Sequence, residues 1–154
     1  MKSKYVFIIL TALILAASMS FVAATQYASL KGVDFEIPDE FETYNQSSEM
    51  IVINNDDNDV ISIYAPSNNF TAEQLKKELV KEDYEFMIED THEFKDTGVD
   101  VTLQNYVYNN MTVCIYLFTV DDQLIQITFI PHDSDNVPEY SENPVSDIVD
   151  SILD

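Results

Sequence analysis

Residues 99–130 constrain the fold more than any other part of this 154-residue chain. Three apolar-rich runs are separated there by the pairs Asn109-Asn110 and Asp121-Asp122. Asn and Asp tolerate the left-handed backbone that two-residue hairpin loops demand. If both pairs are such loops, the numbers of facing residues sum to 219 in the first hairpin and 243 in the second. One face then collects Val99, Val101, Leu103 and Val107. Val120, Phe118, Tyr116 and Cys114 of the next run join it, as do Ile125, Ile127 and Phe129 of the third. Asn105, Thr112 and Gln123 are its polar members. A one-residue slip would scatter this set over both faces, so the pattern supports the register. The second face mixes Asp100, Thr102, Gln104, Gln126 and Thr128 with Tyr106, Tyr108, Val113, Ile115 and Leu117. The middle strand is apolar on both sides, so both faces of the sheet require cover.

The segments upstream supply further strands and one helix. Gly32-Val-Asp-Phe-Glu-Ile-Pro38 alternates apolar and acidic residues and reads as a strand stopped by Pro38. Residues 50–53 and 60–64 are β-branched runs around the polar loop Asn54-Asn55-Asp56-Asp57-Asn58-Asp59, a hairpin with a long loop. Thr71 followed by Gln74 forms a capping box, with Phe70 and Leu75 at the staple positions. The helix that follows buries Leu75 and Leu79 and turns Lys76, Lys77 and Lys81 outward. Residues 84–88 read as a short strand. Asn143-Pro144 opens a last helix whose stripe is Val145, Ile148, Val149 and Ile152, and this helix is expected to cover the second face of the meander. The fold class is therefore α+β: an antiparallel sheet of about six strands, packed by one internal and one C-terminal helix.

The opening Gly32-Val-Asp-Phe-Glu-Ile-Pro38, followed by Phe41, resembles the G-x-x-F-x-I-P-x-x-F start of PsbP/Mog1/DcrB-like domains, as seen in short exported archaeal-type proteins. The resemblance covers roughly residues 32–153 and rests on this motif and the order of elements. It implies an antiparallel sheet packed with helices, used mostly as a non-enzymatic binding or accessory module. It transfers no functional residue to a position here.

The N-terminus sets the environment. Lys2 and Lys4 precede twenty uncharged residues, 5–24, ending in Val22-Ala23-Ala24. That is a charged n-region, an apolar h-region and a small-residue cleavage site. The stretch is also long enough to span a bilayer as a helix, with its lysines on the cytoplasmic side. Residues 1–24 are thus an export signal or a membrane anchor, residues 25–31 a linker, and residues 32–154 the domain. The expected location is extracellular or on the outer face of the cytoplasmic membrane.

Beyond residue 24 stand five lysines and 28 carboxylates, a formal charge of −23, and the chain has no arginine. Nucleic acid is excluded as a partner, because phosphate contacts need clustered Lys and Arg. Acidity of this kind keeps an exported domain dispersed, suits salt or cations, or meets a basic partner. Cys114 is the lone cysteine, so no internal disulfide forms, and it reads as a small buried hydrophobe.

No catalytic motif emerges. His92 and His132 lie in acidic loops without a paired zinc spacing, no nucleophile elbow occurs, and two glycines cannot build a phosphate loop. No cofactor is expected. Asp56, Asp57 and Asp59 offer hard oxygen ligands at calcium-like spacing, but lack the glycine and distal glutamate of an EF-hand loop. Asn45, Asn69 and Asn110 head N-x-S/T sequons in expected loops or turns, acceptors only in a host that glycosylates. Tyr106, Tyr108 and Met111 mark a candidate partner face near the first hairpin end. The leading reading is a non-enzymatic extracellular accessory or binding module acting on a protein or envelope component. The alternatives are a calcium-binding envelope protein and a hydrolase with a dispersed site.

Overall fold

The computed structural model describes residues 26–94 and 96–154. The segment expected to be a signal or anchor, residues 1–24, lies outside the described residues. No described helix is long and apolar enough to cross a membrane.

Among these residues nine strands and two helices form in the order β1 (Gln26–Leu30), β2 (Val33–Ile37), β3 (Glu42–Gln46), β4 (Met50–Asn54), β5 (Val60–Tyr64), α1 (Ala72–Lys81), β6 (Glu85–Phe94), β7 (Val99–Tyr108), β8 (Met111–Val120), β9 (Gln123–Ile130), a 3-10 turn (Tyr140–Glu142) and α2 (Pro144–Leu153). Seven strands make one antiparallel sheet in the order β3-β4-β5-β9-β8-β7-β6, and β1 pairs with β2 as a separate hairpin.

The meander has the expected register. Leu103 faces Tyr116 and Tyr108 faces Met111 in the first hairpin, while Cys114 faces Phe129 and Val120 faces Gln123 in the second. Asn109, Asn110, Asp121 and Asp122 all hold positive φ, between 48° and 65°. The first hairpin's pairing stops at Thr102 and Leu117, however, short of the expected Val99–Val120 partners. Residues 99–101 pair on their other side, with β6.

Three expectations need correction. Residues 25–31 are not a linker, because residues 26–30 form β1 and pair with β2 from Gln26–Ile37 to Leu30–Val33. The signal was present: Lys31 (φ 52°) and Gly32 (φ 80°) form one more two-residue turn, and glycine enters that conformation without a steric cost. The strand expected over residues 84–88 runs on to Phe94, so the main sheet gains a ten-residue edge. The C-terminal helix does not cover the second face of the meander.

That helix packs on the first face instead. Val145, Ile148, Val149 and Leu153 join Val101, Cys114, Tyr116, Phe118, Ile125, Ile127 and Phe129 in one core, together with Leu30, Val33, Phe35 and Ile37 of the β1–β2 hairpin. Leu153 takes the buried place expected of Ile152, which is half-buried. The second face is covered by α1, whose Leu75 and Leu79 pack with Tyr84, Tyr106, Val113, Ile115 and Leu117. The reason is local polarity. Gln104 is fully buried on this face and needs partners, and its Nε2 donates to the Ala72 carbonyl at the start of α1 (3.1 Å) and to Glu89 Oε2 (2.7 Å). Tyr106 Oη donates to Gln104 Oε1 at 2.8 Å. A buried amide costs stability unless it is bonded, so this network ties α1 to the sheet.

The capping box is intact. Thr71 Oγ1 accepts from the Gln74 amide (3.1 Å), and Gln74 Oε1 accepts from the Thr71 amide (2.9 Å). Replacing Thr71 with alanine should lower the unfolding free energy by about 1 kcal/mol. Leu79→Ala should cost roughly 2–5 kcal/mol, because Leu79 is fully buried between α1 and the sheet. Urea denaturation followed by circular dichroism measures both, and equal losses would contradict this division between a surface cap and a core side chain.

Candidate functional site

A cleft of about 730 Å³ lies between the turn after β2, the β4–β5 loop and α2. Each wall is held from below. Asn143, 2% exposed, caps α2: its Oδ1 accepts from the amides of Val145 (3.0 Å) and Ser146 (3.3 Å). Its Nδ2 donates to Tyr116 Oη at 2.9 Å, which locks the cap to β8. The other end of α2 is tied to β2 by Ser151 Oγ, which accepts from the Glu36 amide at 2.9 Å.

The β4–β5 loop is closed on itself. Asn55 Oδ1 accepts from the Asp59 amide (2.9 Å), and Asn55 Nδ2 donates to Asp59 Oδ2 (3.1 Å). Asp59 Oδ1 then accepts from both the backbone amide (2.8 Å) and Nδ1 (2.9 Å) of His132. This carboxylate clamps the loop to the segment after β9. Of the three metal candidates, Asp57 and Asp59 line the cleft and Asp56 does not. No group of three or more His, Cys, Asp or Glu able to hold one ion occurs among the described residues.

The cleft gathers nine carboxylates: Glu36, Asp39, Glu40, Asp57, Asp59, Glu142, Asp147, Asp150 and Asp154. Among the described residues, no lysine or histidine lines it. Asp147, Asp150 and Asp154 follow each other at three and four residues, so α2 presents them as one stripe opposite its apolar face. The sequence carried that spacing, and acids in the last turn of α2 also oppose the helix dipole. Its convergence with the turn after β2 had no local signal. Burial, then the charges of Asp154 and Asp147, push the Asp150 carboxyl above its ordinary value of 3.8, and His92 partly offsets them.

The expected partner face is only partly accessible. Tyr106 is fully buried, because α1 closes over it, so it cannot meet a partner. Tyr108 is half-buried and stacks on Tyr84 with ring centroids 4.1 Å apart, and Met111 is half-buried. The sequon residues Asn45, Asn69 and Asn110 are all exposed. Asn45 lies beside a bulge in edge strand β3, and Asn110 sits in the β7–β8 turn. Asn69 braces β9, accepting from the Leu124 amide and donating to the Asp122 carbonyl.

The groups with catalytic capacity are dispersed. Burial pushes the Cys114 thiol up to about 12, so it is not a thiolate. His92 is exposed, with its ring against Tyr140 and Phe94. His132 is oriented by Asp59, yet among the described residues no hydroxyl or thiol hydrogen-bonds to its ring.

The fold is similar to the solution structure of cyanobacterial PsbP (CyanoP) from Synechocystis sp. PCC 6803. The TM-score is 0.52 at 14% identity, over 75% of this chain and 84% of that one. No family model and no curated protein matches the sequence. At this identity the likeness concerns the fold alone, and the fold is PsbP-like, as the opening motif implied.

Two pH effects follow. The raised folded value of Asp150 means that the native state holds this proton more tightly than the unfolded chain. Its cost is absent below about 3.8 and complete once pH passes the folded value. Asp150→Asn should therefore stabilise the protein at pH 7, with the gain shrinking as pH falls towards 4. His132 is shifted upward, first by its hydrogen bond to Asp59. Its contribution is full below 6.5 and lost as pH rises through the folded value. Urea titrations at successive pH values should show that fall, and His132→Asn should flatten it.

Proposed function

We propose that this protein is a non-enzymatic accessory or binding module that works outside the cytoplasm and receives a positively charged partner in its acidic cleft. The carrying observation is the cleft itself: nine carboxylates, no lining cation among the described residues, and walls fastened by buried and part-buried hydrogen bonds. A preformed concavity of one sign concentrates field lines and attracts ligands of the other sign. Its carboxylates are distributed along three walls, which suits a macromolecular cationic surface such as a lysine-rich protein segment. A single calcium ion needs several oxygens within about 2.6 Å of one point. The export or anchor reading of residues 1–24 supports a location at or beyond the cell surface. A partner in the envelope would then meet the cleft directly.

The PsbP-like fold supports the accessory reading, because the dispersed histidines and the inert thiol add no nucleophile–base pair to it. Export itself is read from the mass of the protein recovered from its own cells. A species beginning at Thr25 marks a cleaved signal, and an intact chain marks an anchor.

The cleft is tested with a lysine-rich peptide as probe, by calorimetric titration at several salt concentrations. Binding should weaken steadily with salt. The combined change Asp147→Asn, Asp150→Asn and Asp154→Asn should reduce affinity about tenfold, since exposed pairs contribute roughly 0.2–1 kcal/mol each. Calcium at millimolar concentration should raise the melting temperature no more than sodium chloride of equal ionic strength. A larger calcium shift, or a triple variant that binds the peptide unchanged, would remove the cleft from this role.

A further inference from the structure

The edge strand β6 is the second unusual surface, and none of its residues lines the cleft. It runs for ten residues and, among the described residues, pairs with β7 on one side only. Long open edges are rare in stable proteins, because unpaired backbone groups recruit other strands. The other edge of the sheet, β3, is five residues long and carries a bulge at Tyr44. The single irregularity of β6 lies at Met87, near its start, and residues 88–94 pair with β7 without interruption. The Thr91 amide donates to the side chain of its neighbour Asp90 at 2.8 Å, which marks it as turned away from β7. With the strand's period of two, Glu89 and Glu93 turn their backbone the same way.

The side chains of this edge are specific in character. Met87 and Ile88, each 55% exposed, are among the most exposed large apolar residues of the described chain. Glu89 is held in place by Gln104. Glu93 stands directly opposite Asp100 on β7, both are exposed, and neither has an ion-pair partner among the described residues. Like charges in facing positions repel, and a cation brought to the open side of Glu93 relieves that repulsion.

We infer that β6 is a strand-addition site for an extended, basic peptide segment. The segment pairs its backbone with the outward groups of Glu89, Thr91 and Glu93. It carries two cationic side chains four residues apart, facing Glu89 and Glu93, and an apolar side chain on the other face against Ile88. Alternating pockets and main-chain pairing are the usual basis of such recognition. A second copy of this chain fits less well than a basic segment. An antiparallel self-pairing centred on residue 89, 91 or 93 sets Glu89 or Glu93 against a glutamate of the other copy, between chains that each carry net negative charge.

The test uses the full-length protein in a non-ionic detergent and a fluorescent nine-residue peptide in which lysine and threonine alternate between valines. Backbone amide spectra should shift at residues 87–94, and the amides of Glu89, Thr91 and Glu93 should gain protection from exchange. Thr91→Pro removes one outward donor without touching the β7 ladder, and should weaken binding at least tenfold while leaving the circular dichroism unchanged. Glu93→Lys should act similarly and should not impair the fold, because it ends the repulsion with Asp100. The triple asparagine variant of Asp147, Asp150 and Asp154 should change this binding less than twofold, which separates the edge from the cleft. Equal affinity in Thr91→Pro and Glu93→Lys overturns the inference. So does a shift pattern confined to α2 and the β4–β5 loop, or a peptide-free dimer that Thr91→Pro dissociates.

Discussion

The structure depends on three neighbouring strands, β5, β9 and β8, that are buried on both faces. A strand of this kind cannot sit at a solvent boundary, because half of its side chains would stay in water. Each fully buried Val, Leu, Ile or Phe stabilises the fold by roughly 1.5–3 kcal/mol relative to exposure. The sheet therefore has to be a middle layer. The β1–β2 hairpin and α2 close one side, and α1 closes the other. The pairing of β5 with β9, from Val60–Ile130 to Tyr64–Gln126, joins the early hairpin to the late meander and so completes the sheet.

Polar groups decide which cover goes where. Gln104 orients α1 through its bond to the first helical carbonyl, and Asn143 orients α2 through Tyr116. Both amides are buried, so losing either partner would leave an unsatisfied group in a low-dielectric interior. These two contacts convert a general need for apolar cover into a particular placement. They also position the cleft, since the cap at Asn143 fixes the start of the helix whose acids line it.

Charge is then distributed around this frame instead of through it. Many of the carboxylates occupy turns, the open edge of β6 and the outer stripe of α2. The chain keeps few cations with which to neutralise them. Ion pairs among the described residues include Lys31 with Glu49, Lys77 with Glu73, Lys81 with Glu78 and His132 with Asp59, and the first three of these lie off the cleft altogether. Like charges are thus gathered along the cleft and at Glu93–Asp100.

What the sequence by itself determined is everything that rests on neighbours in the chain. The meander register follows from Asn109-Asn110, Asp121-Asp122 and a period of two. The capping box needs only Thr71 and Gln74, and the helix at Pro144 only its cap and stripe. Even β1 was legible in Lys31-Gly32, a turn signal that the polar residues around it obscured. The tertiary structure alone decided which face each helix covers. Both faces of β8 are apolar, and hydrophobic burial has no direction, so the pattern permits either assignment. It also decided that Tyr106 is core, that β6 forms an edge, and that Glu36, Asp57 and Asp150 share a cleft. Those residues are far apart in the chain, and the packing of α2 against β2 and the clamp of the β4–β5 loop to His132 bring them together.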